Sequence, residues 1–104
     1  MIDLQKKDSV YVLTMDVGEN RWNTTFVREF AKALDEVEKD DGPGALVTRA
    51  QDPKFFSNGL DLDWMKNPAG HPEGGDREVF GEEFMFLMGR MITLPIPSIC
   101  TING

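Results

Sequence analysis

Two hydrophobic rhythms alternate along the chain. Val10-Tyr-Val-Leu-Thr-Met15 is rich in β-formers and is reached through the polar run Gln5-Lys-Lys-Asp-Ser9, which predicts a hairpin with a strand near Val10 to Met15. After the loop Val17 to Asn23 the period changes. Phe26, Phe30, Leu34 and Val37 recur at three- and four-residue spacing, with charged residues mostly elsewhere around the wheel, and Asn23, Thr24 or Thr25 can cap this amphipathic helix. Asp40-Asp-Gly-Pro-Gly44 ends it. Ala45 to Ala50 is short and mostly apolar, as expected of a strand covered on both faces of a parallel sheet. Strand, helix and strand make a βαβ unit. The Gly/Pro-rich stretch Asn67 to Gly75 predicts a mobile loop, followed from about Asp76 by a second helix. Phe80, Phe84, Leu87, Met88 and Met91 fall on one face of that helix, which stops before Leu94-Pro-Ile-Pro97. Ser98 to Ile102 is a third βαβ-type strand, and Phe26, Phe30, Leu34, Leu46, Val47, Ile99 and Ile102 are the expected core.

The chain has 104 residues, a one-domain length on the usual prior, and no repeat or linker marks a second domain. Eleven Lys and Arg against eighteen Asp and Glu leave a net charge of −7, so there is no basic field to draw nucleic acid or an anionic membrane surface. No apolar stretch approaches the roughly 20 residues of a membrane span, and the first residues hold no apolar signal core; a soluble, cytoplasmic protein is expected. A single cysteine, Cys100, excludes an internal disulfide and reads as an inert small hydrophobe in its strand. His71 is the only histidine and has no Cys or second His beside it, so no metal site is expected. Glu82 with Glu83, and Glu36 with Glu38, read as solvated helix faces.

Phe55-Phe-Ser-Asn-Gly-Leu-Asp-Leu62 carries the most information. A small-polar-Gly turn after a strand leaves backbone N–H groups pointing into a cleft, where they suit an oxyanion. The same residues also fit an ordinary strand-to-helix turn, with Asn58-Gly59 supplying positive φ and Asp61 capping a short helix at Leu62 to Met65. Taken alone, the turn favours that plainer reading.

The order of elements adds to it. A hairpin, an Asn opening an amphipathic helix, a buried strand, Phe56-Ser-Asn-Gly-Leu-Asp-Leu62, a Gly/Pro loop, a helix and then Pro97-Ser-Ile-Cys-Thr-Ile-Asn-Gly104 resemble, over the whole chain, the enoyl-CoA hydratase/isomerase or crotonase superfamily. The resemblance implies an α/β fold, a crotonase-like ββα spiral truncated after its third core strand, with residues 1–104 as the N-terminal part of a single domain. It implies that Ser57, Asn58, Gly59, Leu60 and Asp61 line an acyl-CoA site, with the Leu60 backbone N–H as one of two oxyanion-hole donors. Arg21 and Trp22 would lie near the nucleotide of CoA, although Trp22 equally fits a packed loop aromatic. Many relatives carry a lysine two residues after the motif aspartate. Asp63 stands there in this chain, and Lys66 or Lys54 could substitute.

By the same resemblance, the second donor and the catalytic glutamates lie beyond the position of Gly104. The 104-residue chain alone is therefore expected to be inactive and poorly stable, whereas the parent would be an enoyl-CoA hydratase or isomerase. Phe-Phe-Ser-Asn-Gly leans toward isomerase-like relatives. The resemblance implies no separate cofactor, since coenzyme A enters as part of the substrate, and a homotrimer or hexamer. The rival reading is a complete, non-catalytic module that binds CoA or a protein partner through its exposed edge.

Overall fold

The computed structural model describes residues 1–104. Strands β1 (Ile2–Lys7) and β2 (Val10–Met15) form a hairpin, α1 (Thr24–Glu38) crosses to β3 (Ala45–Ala50), and α2 (Leu62–Lys66) follows. Three single 3-10 turns lead to α3 (Phe80–Ile92) and then β4 (Ser98–Cys100). The four strands lie in sequence order, antiparallel between β1 and β2 and parallel thereafter. The polar stretch expected as a turn is mostly strand: β1 runs to Lys7, and Asp8, at φ +56°, turns the chain with Ser9. Gln5, Lys6 and Lys7 stay exposed because β1 is an edge strand, where polar side chains are tolerated.

The cap and apolar stripe of α1 follow the sequence. Asn23 accepts the Phe26 N–H at 2.9 Å, and Phe26, Val27, Phe30, Ala33, Leu34 and Val37 bury against the sheet. Leu13 and Met15 of β2 and Leu46 and Ala50 of β3 complete this layer, and Leu87 of α3 closes it from outside. Three ion pairs, made by two arginines, fasten α3 to α1. Arg28 grips Glu83 through two hydrogen bonds of 2.8 and 2.9 Å, and Arg90 reaches Asp35 at 2.8 Å and Glu38 at 3.2 Å. Behind α1, Asp40 accepts from the Tyr11 hydroxyl, the Lys6 ammonium and the Gly42 N–H, which holds its carboxyl well below the usual carboxylate range. That cluster ties the hairpin to the α1–β3 connection.

Three further expectations are corrected. β3 is not covered on both faces: Leu46, Thr48 and Ala50 are buried, while Ala45, Val47 and Arg49 on the opposite face are only half-buried, because α1 lies on one side alone. Ile99 and Ile102 are not core, being 57% and 74% exposed. β4 is a three-residue edge strand whose Ile99 pairs with Val47 on the face away from α1, and Cys100 beside it is exposed. The stretch Asn67 to Gly75 is not an open loop but two 3-10 turns docked on Trp64, and the second helix opens with a further 3-10 turn before α3 proper. No helix is long and apolar enough to cross a membrane.

Candidate functional site

The loop after β3 is built from backbone hydrogen bonds. Asp52 accepts the N–H groups of Lys54 and Phe55 at 2.7 and 2.9 Å, which holds its carboxyl below the ordinary range. Asn103 clamps the same turn, donating its side chain to Asp52 O and accepting the Phe56 N–H. The chain from Ser57 to Asp61 then runs alongside Glu19 to Trp22, forming an isolated parallel bridge between Trp22 and Leu60. The Trp22 N–H donates to Gly59 O at 2.8 Å, the Asp61 N–H to Trp22 O at 2.9 Å and the Asn58 N–H to Glu19 O at 2.9 Å.

These bonds decide where Leu60 N–H points. In a planar trans peptide the N–H lies opposite the preceding C=O. The Gly59 carbonyl is held by Trp22, so the Leu60 N–H faces away from the Trp22 main chain, and it donates to no acceptor in the molecule. Gly59 sits at φ +78°, and a Cβ placed there would meet nothing within 4 Å. The space beside this peptide is open. Leu60 and Gly59 border a cleft of about 400 Å³ whose other walls are Trp22, Phe80 and Phe84. The rings are mutually braced: Trp22 lies 4.6 Å from Phe26 and 5.4 Å from Phe84, and Phe80 stacks on Phe84 at 5.5 Å. A free, rigidly held N–H beside an apolar aromatic cleft can stabilise a developing oxyanion of a ligand whose remainder is hydrophobic.

The expected residues divide by role. Leu60 and Gly59 border the cleft. Ser57 and Asn58 turn away toward the protein, Ser57 donating to Asn20 O at 2.7 Å and Asn58 donating to the Glu19 carboxylate at 2.8 Å. Asp61 caps α2, accepting the Trp64 N–H at 3.2 Å, as the plainer turn reading expects. Trp22 is both a packed aromatic and a cleft wall. Arg21 pairs with Glu19 at 2.9 Å, and its Nε is buried without a partner. Lys54 lies over the Phe55 ring, and Lys66 and Asp63 are exposed. Glu82 and Glu83 sit at the α1–α3 groove, away from the cleft. His71 stands 3.6 Å from Glu73.

Asn20 and Glu19 were not singled out from the sequence, yet both hold the loop. Asn20 is fully buried at φ +52°. The available signal was an Asn two residues after Gly18 in a loop, a residue type that tolerates the left-handed region.

A profile of the enoyl-CoA hydratase/isomerase family matches residues 5–104. The chain is 28% identical over 107 residues to the peroxisomal enoyl-CoA delta isomerase 2 of Arabidopsis thaliana, and 30% over 108 residues to the peroxisomal enoyl-CoA delta isomerase 1 of that plant. These alignments take in all of this chain but 44% and 42% of those proteins, so the chain spans less than half their length. Among solved structures, an enoyl-CoA hydratase from Shewanella pealeana superposes with a TM-score of 0.81 at 21% identity, over 99% of this chain and 39% of that one. A probable enoyl-CoA hydratase from Mycobacterium tuberculosis gives 0.78 at 24%, over 97% and 41%. These likenesses establish the crotonase-like fold.

Proposed function

Because the chain belongs to the enoyl-CoA hydratase/isomerase family, we propose that it supplies the oxyanion side of an acyl-CoA site, with Leu60 N–H donating to the thioester oxygen. The observation that carries this reading is the one unpaired N–H held beside the Trp22–Phe80–Phe84 cleft. Proton removal at the carbon next to a thioester sends charge onto the carbonyl oxygen. A fixed donor aimed there favours the enolate, by roughly 2.7–4 kcal/mol in a measured case.

Of the two family reactions, the double-bond shift is the one favoured, since the curated relatives are named as isomerases. In that reaction a 3-enoyl-CoA loses a proton from C2, its electrons spread to the thioester oxygen and C4, and a proton returns at C4. Within these residues no carboxylate lines the cleft. Asp61 is spent on the α2 cap, and Glu19 on Arg21 and Asn58. The proposal therefore takes the proton carrier and the second donor from outside residues 1–104, in an assembly that would be a trimer or hexamer. Coenzyme A is part of the substrate, with Arg21 and one of Lys54 or Lys66 offering a positive charge to its phosphates.

The test follows the growth of 2-enoyl-CoA absorbance from a 3-enoyl-CoA, and its loss by hydration, using the native-length protein. Isomerisation is expected. A folded protein that converts neither substrate and binds no CoA thioester would overturn the reading. Turnover by residues 1–104 alone would show that the missing groups are not needed.

A further inference from the structure

We propose that Asn20 and Ser57 form a latch that holds the Gly59–Leu60 peptide in its donor orientation; both are positioning residues, and the proposal rests on the reading of Leu60 as an oxyanion donor. Asn20 is polar and fully buried. It is one of only two non-glycine residues with positive φ, and the other, Asp8, turns the hairpin. Nothing comparable requires the left-handed conformation at Asn20 except the bonds that it makes.

Those bonds go to Val17 just after β2, including one from the Asn20 N–H to Val17 O at 2.9 Å, to the end of β2 and to the loop after β3. The side-chain oxygen accepts the Val17 N–H at 2.9 Å, and the side-chain nitrogen donates to Met15 O at 3.3 Å and Phe56 O at 3.0 Å. The Asn20 carbonyl accepts the Ser57 hydroxyl at 2.7 Å, and the Ser57 oxygen in turn accepts the Gly59 N–H at 3.2 Å. A continuous path thus joins the rigid end of β2 to the N–H of Gly59. With Trp22 holding the Gly59 carbonyl, both polar groups of Gly59 are tied, and Leu60 N–H is left as the untied group of the next peptide.

Gly59 needs this restraint. It has the widest backbone freedom of any residue type and open space around it, so rotation about its bonds would swing Leu60 N–H off the ligand. A donor stabilises a developing charge best when it is fixed beforehand. Ser57, although in the motif, acts here through the loop: its one hydroxyl proton is already given to Asn20.

The experiment measures, by calorimetry on the native-length protein, the affinity for a medium-chain acyl-CoA thioester and for the matching alkyl-CoA thioether, which lacks the carbonyl oxygen. Ser57→Ala is expected to weaken thioester binding roughly three- to tenfold, the value of one hydrogen bond, and to leave the thioether unchanged. Ser57→Thr, which keeps the hydroxyl, is expected to restore the preference. Asn20→Ala should act in the same direction, and Ser57→Ala decides the matter if that variant does not fold. Equal losses for both ligands, or no loss, would overturn the latch. If the unsubstituted protein prefers the thioester and Ser57→Ala keeps that preference, the latch alone falls. If the unsubstituted protein shows no preference, the oxyanion reading falls and takes the latch with it.

Discussion

Substitution at Gly59 separates what this residue does for the fold from what it does for the ligand. Its φ of +78° lies where L side chains are strained, while a Cβ there meets no atom within 4 Å, so the folding cost is conformational and not a clash. Alanine adds about 1–2 kcal/mol of strain. Stiffening of the unfolded chain returns about 0.4–1 kcal/mol, leaving a net loss between ~0 and 1.6 kcal/mol, centred on about 0.8 kcal/mol. Asparagine tolerates this region and should cost less than alanine, and valine, branched at Cβ, should cost more. Stability should therefore rank Asn above Ala above Val, all within the ~5–15 kcal/mol that holds a domain together. Ligand binding should follow another order, because the side chain enters the space beside Leu60 N–H: alanine least harmful, asparagine and valine most. Urea titration gives the first ranking and calorimetry with a CoA thioester the second. Alanine more stable than glycine, or valine as stable as asparagine, would refute the left-handed assignment. A folded Gly59→Val protein with unchanged thioester affinity would remove this segment from the site.

Two further outcomes test the scaffold. Gly74→Ala would drive a Cβ into Cδ1 of Trp64, a fully buried ring whose Nε1 donates to Gly75 O. Urea titration should show a loss of about 1–3 kcal/mol, and a neutral result would mean that the 3-10 turns do not dock on Trp64. The second concerns acid. Asp40, Asp52 and Glu83 are each held below the ordinary range by their hydrogen bonds, Asp40 by Lys6 first and Glu83 by Arg28 first. The unfolded chain therefore takes up protons first on acidification. The stability these groups contribute is present above roughly pH 5 and is lost as pH falls through about 4 and below. Asp40→Asn should flatten that slope in urea titrations between about pH 5 and 3, and an unchanged slope would refute the assignment to Asp40.

Legibility in the sequence followed the strength of the physical constraint. The bounds of β2 and β3, and the buried face of α1, were readable because each alternation or stripe is enforced by one packed layer: Leu13 and Met15, Leu46 and Ala50, then Phe26, Phe30, Leu34 and Val37. Where that layer is absent, the pattern misled. Gln5 to Lys7 read as a turn because an edge strand can be polar on both sides. Ile99 and Ile102 read as core because apolar β-branched residues announce a strand but not whether anything covers it. The Gly/Pro stretch read as a plain loop and not as 3-10 turns because composition cannot show that Gly74 lacks a side chain in order to admit Trp64.

The candidate site was half legible for a chemical reason. A free backbone N–H carries no side-chain signature, so nothing about leucine marks position 60; what the sequence can mark is the neighbour at positive φ, and Gly59 was legible through the motif. The restraint on that peptide is supplied from residues more than thirty positions earlier, where Asn20 holds Phe56 O and Ser57 and where the Trp22 N–H holds Gly59. Each of these contacts ends on a main-chain atom or a hydroxyl, which many residue types can present. A preorganised backbone donor is therefore specified by the pairing of two loops, Glu19 to Trp22 with Ser57 to Asp61. A substitution of Glu19 or Asn20, neither of which lines the cleft, should then change the hydrogen bonding of the second loop.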